Sequence, residues 1–192
     1  FIGLFGVPYV HLMPAIAADF FQGKSSTFGM MMSASGFGAF AAALFLSMQR
    51  NTSLQRKLVT AAPMALGVGF AVFSVSRTLW ISLPMLAVIG ASIMCSANAT
   101  NVLLQQSVND AWRGRMVGLY AMPFQGLGPI GTLMSGAIAS YIGLTPTLII
   151  NATLIFSAAV FLALKLKSRP DVMATIGVEP DQQPLSVPVK GV

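Results

Sequence analysis

Asn98, Asn101 and Gln105 are spaced i, i+3, i+7, so on a helix they share one face. Carboxamides donate and accept hydrogen bonds but are neither proton relays nor nucleophiles. A stripe of them has two uses inside an apolar segment: it lines an aqueous path, or it bonds to a neighbouring helix at a gain of about 1 kcal/mol per contact. Both readings stand on spacing alone. Tyr120 and Gln125 are further polar groups inside apolar sequence. His11 is the one residue whose charge changes near neutral pH, and an ionisable group at mid-span is by default a functional hypothesis. No Asp or Glu lies deep in an apolar run to exchange a proton with it, so a neutral, hydrogen-bonded imidazole is expected. The remaining concentration of chemistry is "NDAWRGRMVGLY", residues 109–120, where Asp110, Arg113 and Arg115 gather around Trp112 in a chain otherwise almost free of charge.

These residues must be held by membrane-crossing helices. Of 192 residues, 55% are hydrophobic and 8% charged, against roughly 25% charged in soluble domains. A hydrocarbon core of about 30 Å takes roughly 20 helical residues. Six such runs are expected, at about residues 1–21, 28–48, 58–76, 79–104, 116–141 and 144–166. Residues 116–164 hold no charge, too long for one span, and "YIGLTP" at 141–146 supplies the turn that divides them. Residues 1–167 then form a six-helix bundle. Residues 168–192, with four prolines among acidic and amide side chains, read as a polar tail without a fold of its own.

The cations mark the orientation, because loops retained in the cytoplasm are enriched in Lys and Arg. Arg50, Arg56, Lys57, Arg113, Arg115, Lys165, Lys167 and Arg169 fall at one end of the six spans, whereas the other end has only Lys24 and Arg77. Both ends of this segment are therefore expected in the cytoplasm. Trp112 on that side, with Trp80 and Tyr141 on the other, suits the membrane interface.

Other functions are disfavoured. A net charge of +6 could suggest nucleic acid, but the cations sit as short clusters between apolar blocks rather than on one solvated face. Lone Cys95 and lone His11 offer no metal cluster, and no phosphate-binding loop, HExxH sequence or paired carboxylates exist for nucleotide, zinc or acid–base chemistry. Neither an enzyme nor a cofactor is expected. The chain begins without Met, which suggests a fragment of a longer protein.

Small residues allow helix backbones to approach in lipid. The second span offers Ala34, Gly38 and Ala42, with Gly36 beside them, and the fifth offers Gly131, Ser135 and Ala139. "QGLGPIG" at 125–131 permits a bend or local unwinding, since Pro129 removes a backbone donor among three glycines. Asn151 reads as a polar contact between helices.

The stretches "LMPAIAADFF", "STFGMMMSASGFGAF" and "NVLLQQSVNDAWRGRMVGLYAMPFQGLGPIGTLMSGAIA" together resemble the second half of major facilitator superfamily transporters, especially the bacterial exporter branch with enterobactin and drug efflux proteins. The resemblance covers about residues 1–167 and implies an all-α membrane protein whose six spans are the family's seventh to twelfth. It implies alternating-access export of a small organic or amphipathic molecule across a bacterial inner membrane, bound near the midplane between two six-helix halves. The partner would be an N-terminal half, which would also hold any proton-coupling carboxylate. Asn98, Asn101, Gln105, Gln125, Tyr120 and His11 become cavity candidates, and Asp110, Arg113 and Arg115 a cytoplasmic gating loop. The loop "SMQRNTSLQRK" keeps the family's cations but lacks its usual Gly and Asp motif. The competing expectation is a membrane-embedded scaffold whose polar stripe binds a partner helix.

Overall fold

The computed structural model describes residues 2–22, 25–49, 52–106 and 110–167. Within its helices, the side chains at positions 52, 53, 56, 106, 110–113, 120, 123–125, 166 and 167 lie outside the described residues. The tail at 168–192 lies outside them as well.

The described chain is helical because lipid offers backbone N–H and C=O groups no partner, so a crossing segment must satisfy them itself. A π-helical turn, Ile2–Gly6, precedes α1 (Tyr9–Phe21), α2 (Ser25–Met48), α3 (Thr52–Val75), α4 (Leu79–Gln106), α5 (Asp110–Ile142) and α6 (Leu144–Lys167). Among the described residues, five segments are long and apolar enough to cross a membrane: Ile2–Phe21, Ser25–Met48, Lys57–Val75, Leu79–Gln105 and Leu144–Lys165. α5 is the longest helix at 33 residues but carries more glycine and a charged first turn. Its uncharged part still extends about 40 Å at 1.5 Å per residue, more than the hydrocarbon core.

The structure corrects two expectations. The first span is not one helix. Val7 N–H donates to Ile2 O, five residues back, closing the π-turn, and α1 starts only after Pro8, which has no N–H to continue the ladder. The unwinding expected at 125–131 does not occur, and α5 stays helical through Pro129. A proline inside a helix costs about 3 kcal/mol, whereas each unsatisfied backbone group in hydrocarbon costs several, so the helix persists. Pro14, Pro63 and Pro84 likewise lie inside α1, α3 and α4 without ending them. The α5–α6 connection is Gly143 alone, at φ +92°, where its N–H caps α5 on Ala139 O.

The extensive contacts pair α2 with α4, α3 with α4 and α3 with α6, and α5 packs on the π-turn. Glycine makes two of these approaches close. A Cβ on Gly38 in α2 would overlap the Ala87 carbonyl in α4, and one on Gly131 in α5 would overlap the Leu4 carbonyl in the π-turn. The expected small-residue rails are thus real at these two positions. Gly36 has open space around it.

One end of the bundle is solid. Tyr9, Met13 and Ile16 of α1, Leu66, Phe70 and Phe73 of α3, Leu86 and Ile89 of α4, and Leu148 and Ile155 of α6 form a single buried cluster. Tyr9 meets Phe70 edge to face, with centroids 5.2 Å apart, and its hydroxyl lies 2.6 Å from Ser35 Oγ on α2. At this same end, an Arg77 Nη donates to Thr145 Oγ1 at 2.8 Å while the guanidinium stacks 3.9 Å over the Phe20 ring. The end of α1, the α3–α4 connection and the start of α6 therefore meet, as an alternating path of spans requires. Trp80 and Tyr141, also at this end, are 84% and 89% exposed, positions suited to a headgroup belt.

Candidate functional site: a hollow toward the basic end

The other end is hollow. A cavity of about 690 Å³ is walled by Ile2 and Gly3 of the π-turn, Pro63 of α3, Ser96, Ala97 and Thr100 of α4, Leu127 of α5, and the 154–162 stretch of α6. In α3 and α4 the wall residues lie further toward the end bearing most of the cations than the core residues do, and in α6 core and wall meet at Ile155, which belongs to both. In α4 the core is at Leu86 and Ile89 and the cavity at 96–100. In α3 the core is at Leu66 to Phe73 and the cavity touches Pro63. The bundle is thus a packed plug at the Arg77 end and an open chamber beneath it.

The chamber is apolar and bears no charged side chain among its described walls. Ser96 Oγ donates to Ser92 O at 2.7 Å, and Ser157 Oγ donates to Leu154 O at 3.0 Å. Both hydroxyl protons are spent on their own helices, leaving acceptor lone pairs toward the space.

The predicted stripe lies at the same depth on another face of α4. At 100° per residue, Asn98, Asn101 and Gln105 centre roughly 120° round the helix from Ser96, Ala97 and Thr100. All three are half-buried, and Gln105 Nε2 donates to Asn101 Oδ1 at 2.6 Å, one turn away. His11 is exposed on the side of α1 opposite Tyr9, Met13 and Ile16. The contacts of α1 itself are modest ones with α2 and sparse ones with α5, so the structure does not join His11 to the α4 stripe. The side chains of Asp110, Arg113, Tyr120 and Gln125 lie outside the described residues; Arg115 is exposed in the first turns of α5. Asn151 makes the expected interhelical contact, its Nδ2 donating to Ser135 Oγ at 3.2 Å with both residues buried.

Sequence reasoning passed over the chamber walls. Ser92, Ser96 and Thr100 repeat every four residues beside the amide stripe, and "SAA" at 157–159 thins α6 opposite them. That pairing of small residues on two helices was the available signal.

These features define an all-α, multi-pass membrane protein. The family model described as "transmembrane secretion effector" matches residues 1–190, and the chain belongs to this family of major-facilitator-type transporters. Comparison with curated proteins and with solved structures yields no match.

Proposed function

We propose that the chain is the carboxyl-terminal half of a secondary exporter that works by alternating access, moving a small organic or amphipathic molecule across a bacterial inner membrane with its basic end in the cytoplasm. The observation that carries this reading is the axial partition of the bundle, a packed plug at the Arg77 end and a chamber at the basic end. A transporter must be closed on one side of its site and accessible on the other. The glycine contacts at Gly38 and Gly131 support the rest, because close backbone seams let a half move as a rigid unit. In this reading the stripe of Asn98, Asn101 and Gln105 faces a complementary six-helix half, with Tyr120 and Gln125 on the same cleft; His11 is not joined to the stripe within this half. Asp110, Arg113 and Arg115 set the cytoplasmic loop and latch one state. Any proton-coupling carboxylate belongs to the complementary half.

The test is efflux of a panel of fluorescent amphipathic dyes from cells making the full-length protein. Replacing Asn101 and Gln105 together with Ala removes polar contacts worth about 1 to 1.5 kcal/mol net, so efflux is expected to fall roughly tenfold at unchanged expression. Unchanged efflux would remove the stripe from the pathway. A scaffold role is the second reading, favoured by the Gln105–Asn101 bond, which already satisfies part of the stripe within one helix. It requires cysteines at positions 98, 101 and 105 to stay shielded from aqueous thiol reagents in every condition.

A further inference from the structure

We infer that the chamber is a lipid site, entered sideways between α5 and α6 by the acyl chain of an anionic phospholipid from the leaflet at the basic end. The two helices are tied together at the Arg77 end. Gly143 alone joins them, and the Asn151–Ser135 bond pins them again eight residues on, about 12 Å along each axis. A further eight residues along α5 is Leu127, which by antiparallel register is level with Ala159 of α6. Here the chamber separates the two helices. Leu127, Leu154, Phe161 and Leu162 line it and are also exposed on the outside of the bundle. The wall is therefore continuous with the lateral surface, and the opening is a slot along the helices.

The chemistry selects the guest. Ser96 and Ser157 have committed their protons to backbone carbonyls, so these walls offer an anionic or acceptor-rich group no donor to offset its desolvation. An alkyl chain loses nothing there, because it exchanges one apolar surrounding for another. The volume of about 690 Å³ falls within the roughly 300–1,000 Å³ of ordinary small-ligand sites. At the basic rim, one turn beyond Phe161, the Lys165 ammonium stands 5.4 Å from the Phe161 ring centroid. A cation at this level attracts an anionic headgroup while its chain lies in the slot. This inference requires a bilayer around the bundle but not transport.

The test uses the full chain in phosphatidylethanolamine vesicles containing phosphatidylglycerol with a diazirine at mid-acyl chain, irradiated and mapped by peptide mass spectrometry. Adducts are expected at Ser96, Thr100, Ala158 and Ala159, as well as at outward residues such as Phe37 and Phe40. Ala158→Trp fills the chamber and should abolish the inner adducts while sparing those at Phe37 and Phe40, which also report intact folding. Thr100→Leu narrows the chamber from α4 and serves if the first variant does not fold. Adducts confined to outward residues, as when another polypeptide covers the slot, would overturn the inference, as would inner adducts indifferent to both substitutions. Because labelling is read without efflux, a lipid-filled bundle that exports nothing and an exporter with an empty chamber are separately recognisable.

Discussion

Gly38→Ala is expected to prevent α2 from seating on α4, while Gly36→Ala, two residues away, behaves as the parent protein. A methyl group at position 38 would overlap the Ala87 carbonyl, a backbone group that cannot rotate away as a side-chain tip can. The same seam is tight from the other side, where a methyl on Gly90 would overlap the Ser35 carbonyl. Overpacking typically costs 1–3 kcal/mol. A clash of backbone with backbone at the centre of an extensive helix pair belongs at the upper end, about 3 kcal/mol or more. Gly36 has no neighbouring atom within 4 Å and is exposed, so its methyl enters free space and modestly favours the helix. Thermal unfolding in detergent, with monodisperse yield as a second readout, distinguishes the two. Equal stability for Gly38→Ala and Gly36→Ala would mean that the α2–α4 seam is wrong.

Phe70→Ala is expected to cost about 2 kcal/mol, a smaller loss than the 3–5 kcal/mol of a buried Phe in a water-soluble protein. The reason lies in the reference state. A separated transmembrane helix keeps its Phe ring in hydrocarbon, so no transfer from water is lost on truncation. What remains is the void left in the packed plug and the edge-to-face contact with Tyr9, itself worth about 0.5–1.5 kcal/mol. Phe45, half exposed on α2, touches lipid in both states, and Phe45→Ala is expected to be near neutral. Reversible unfolding in bicelles measures both variants. A Phe70→Ala protein as stable as Phe45→Ala would show that the Arg77 end is not the solid core described.

What the sequence made legible follows from which signals are strong in lipid. Ions are excluded from hydrocarbon, so Arg77, Lys24 and the basic clusters marked the span ends: α2 to α6 end within two residues of the expected runs, while α3 and α5 begin six residues earlier, extending into the basic segments. Backbone detail was weaker. Pro129 carried the expectation of a break, yet the break occurs at Val7–Pro8, because a proline near the start of a span can end one hydrogen-bond ladder and begin another. The spacing Ala34, Gly38, Ala42 identified one side of the α2–α4 seam. Gly90, its partner across the seam, stands in no such motif and became visible only where α2 packs. For the candidate site, the helical face of Asn98, Asn101 and Gln105 was readable, but the Asn101–Gln105 bond depends on rotamers that spacing does not specify. The chamber was harder to read, since its walls are mostly Ala, Leu, Ser and Ile, the commonest residues of any membrane helix, and the small residues of α4 and α6 mark a hollow only once the helices that fail to fill it are placed.

The central claim is that the chain crosses the bilayer as six antiparallel spans, with its basic connections on one side and Arg77 on the other. The most direct measurement places single cysteines at Lys57, Gly114, Ser25 and Thr78 in a Cys95→Ser background and reacts sealed, oriented vesicles with a membrane-impermeant maleimide. Positions 57 and 114 are expected to label together from the basic, cytoplasmic face, and 25 and 78 together from the opposite face only. Labelling of 57 and 114 from opposite faces, or of 78 from the same face as 114, would contradict the six-span path, and with it the plug, the chamber and the transport reading built on them.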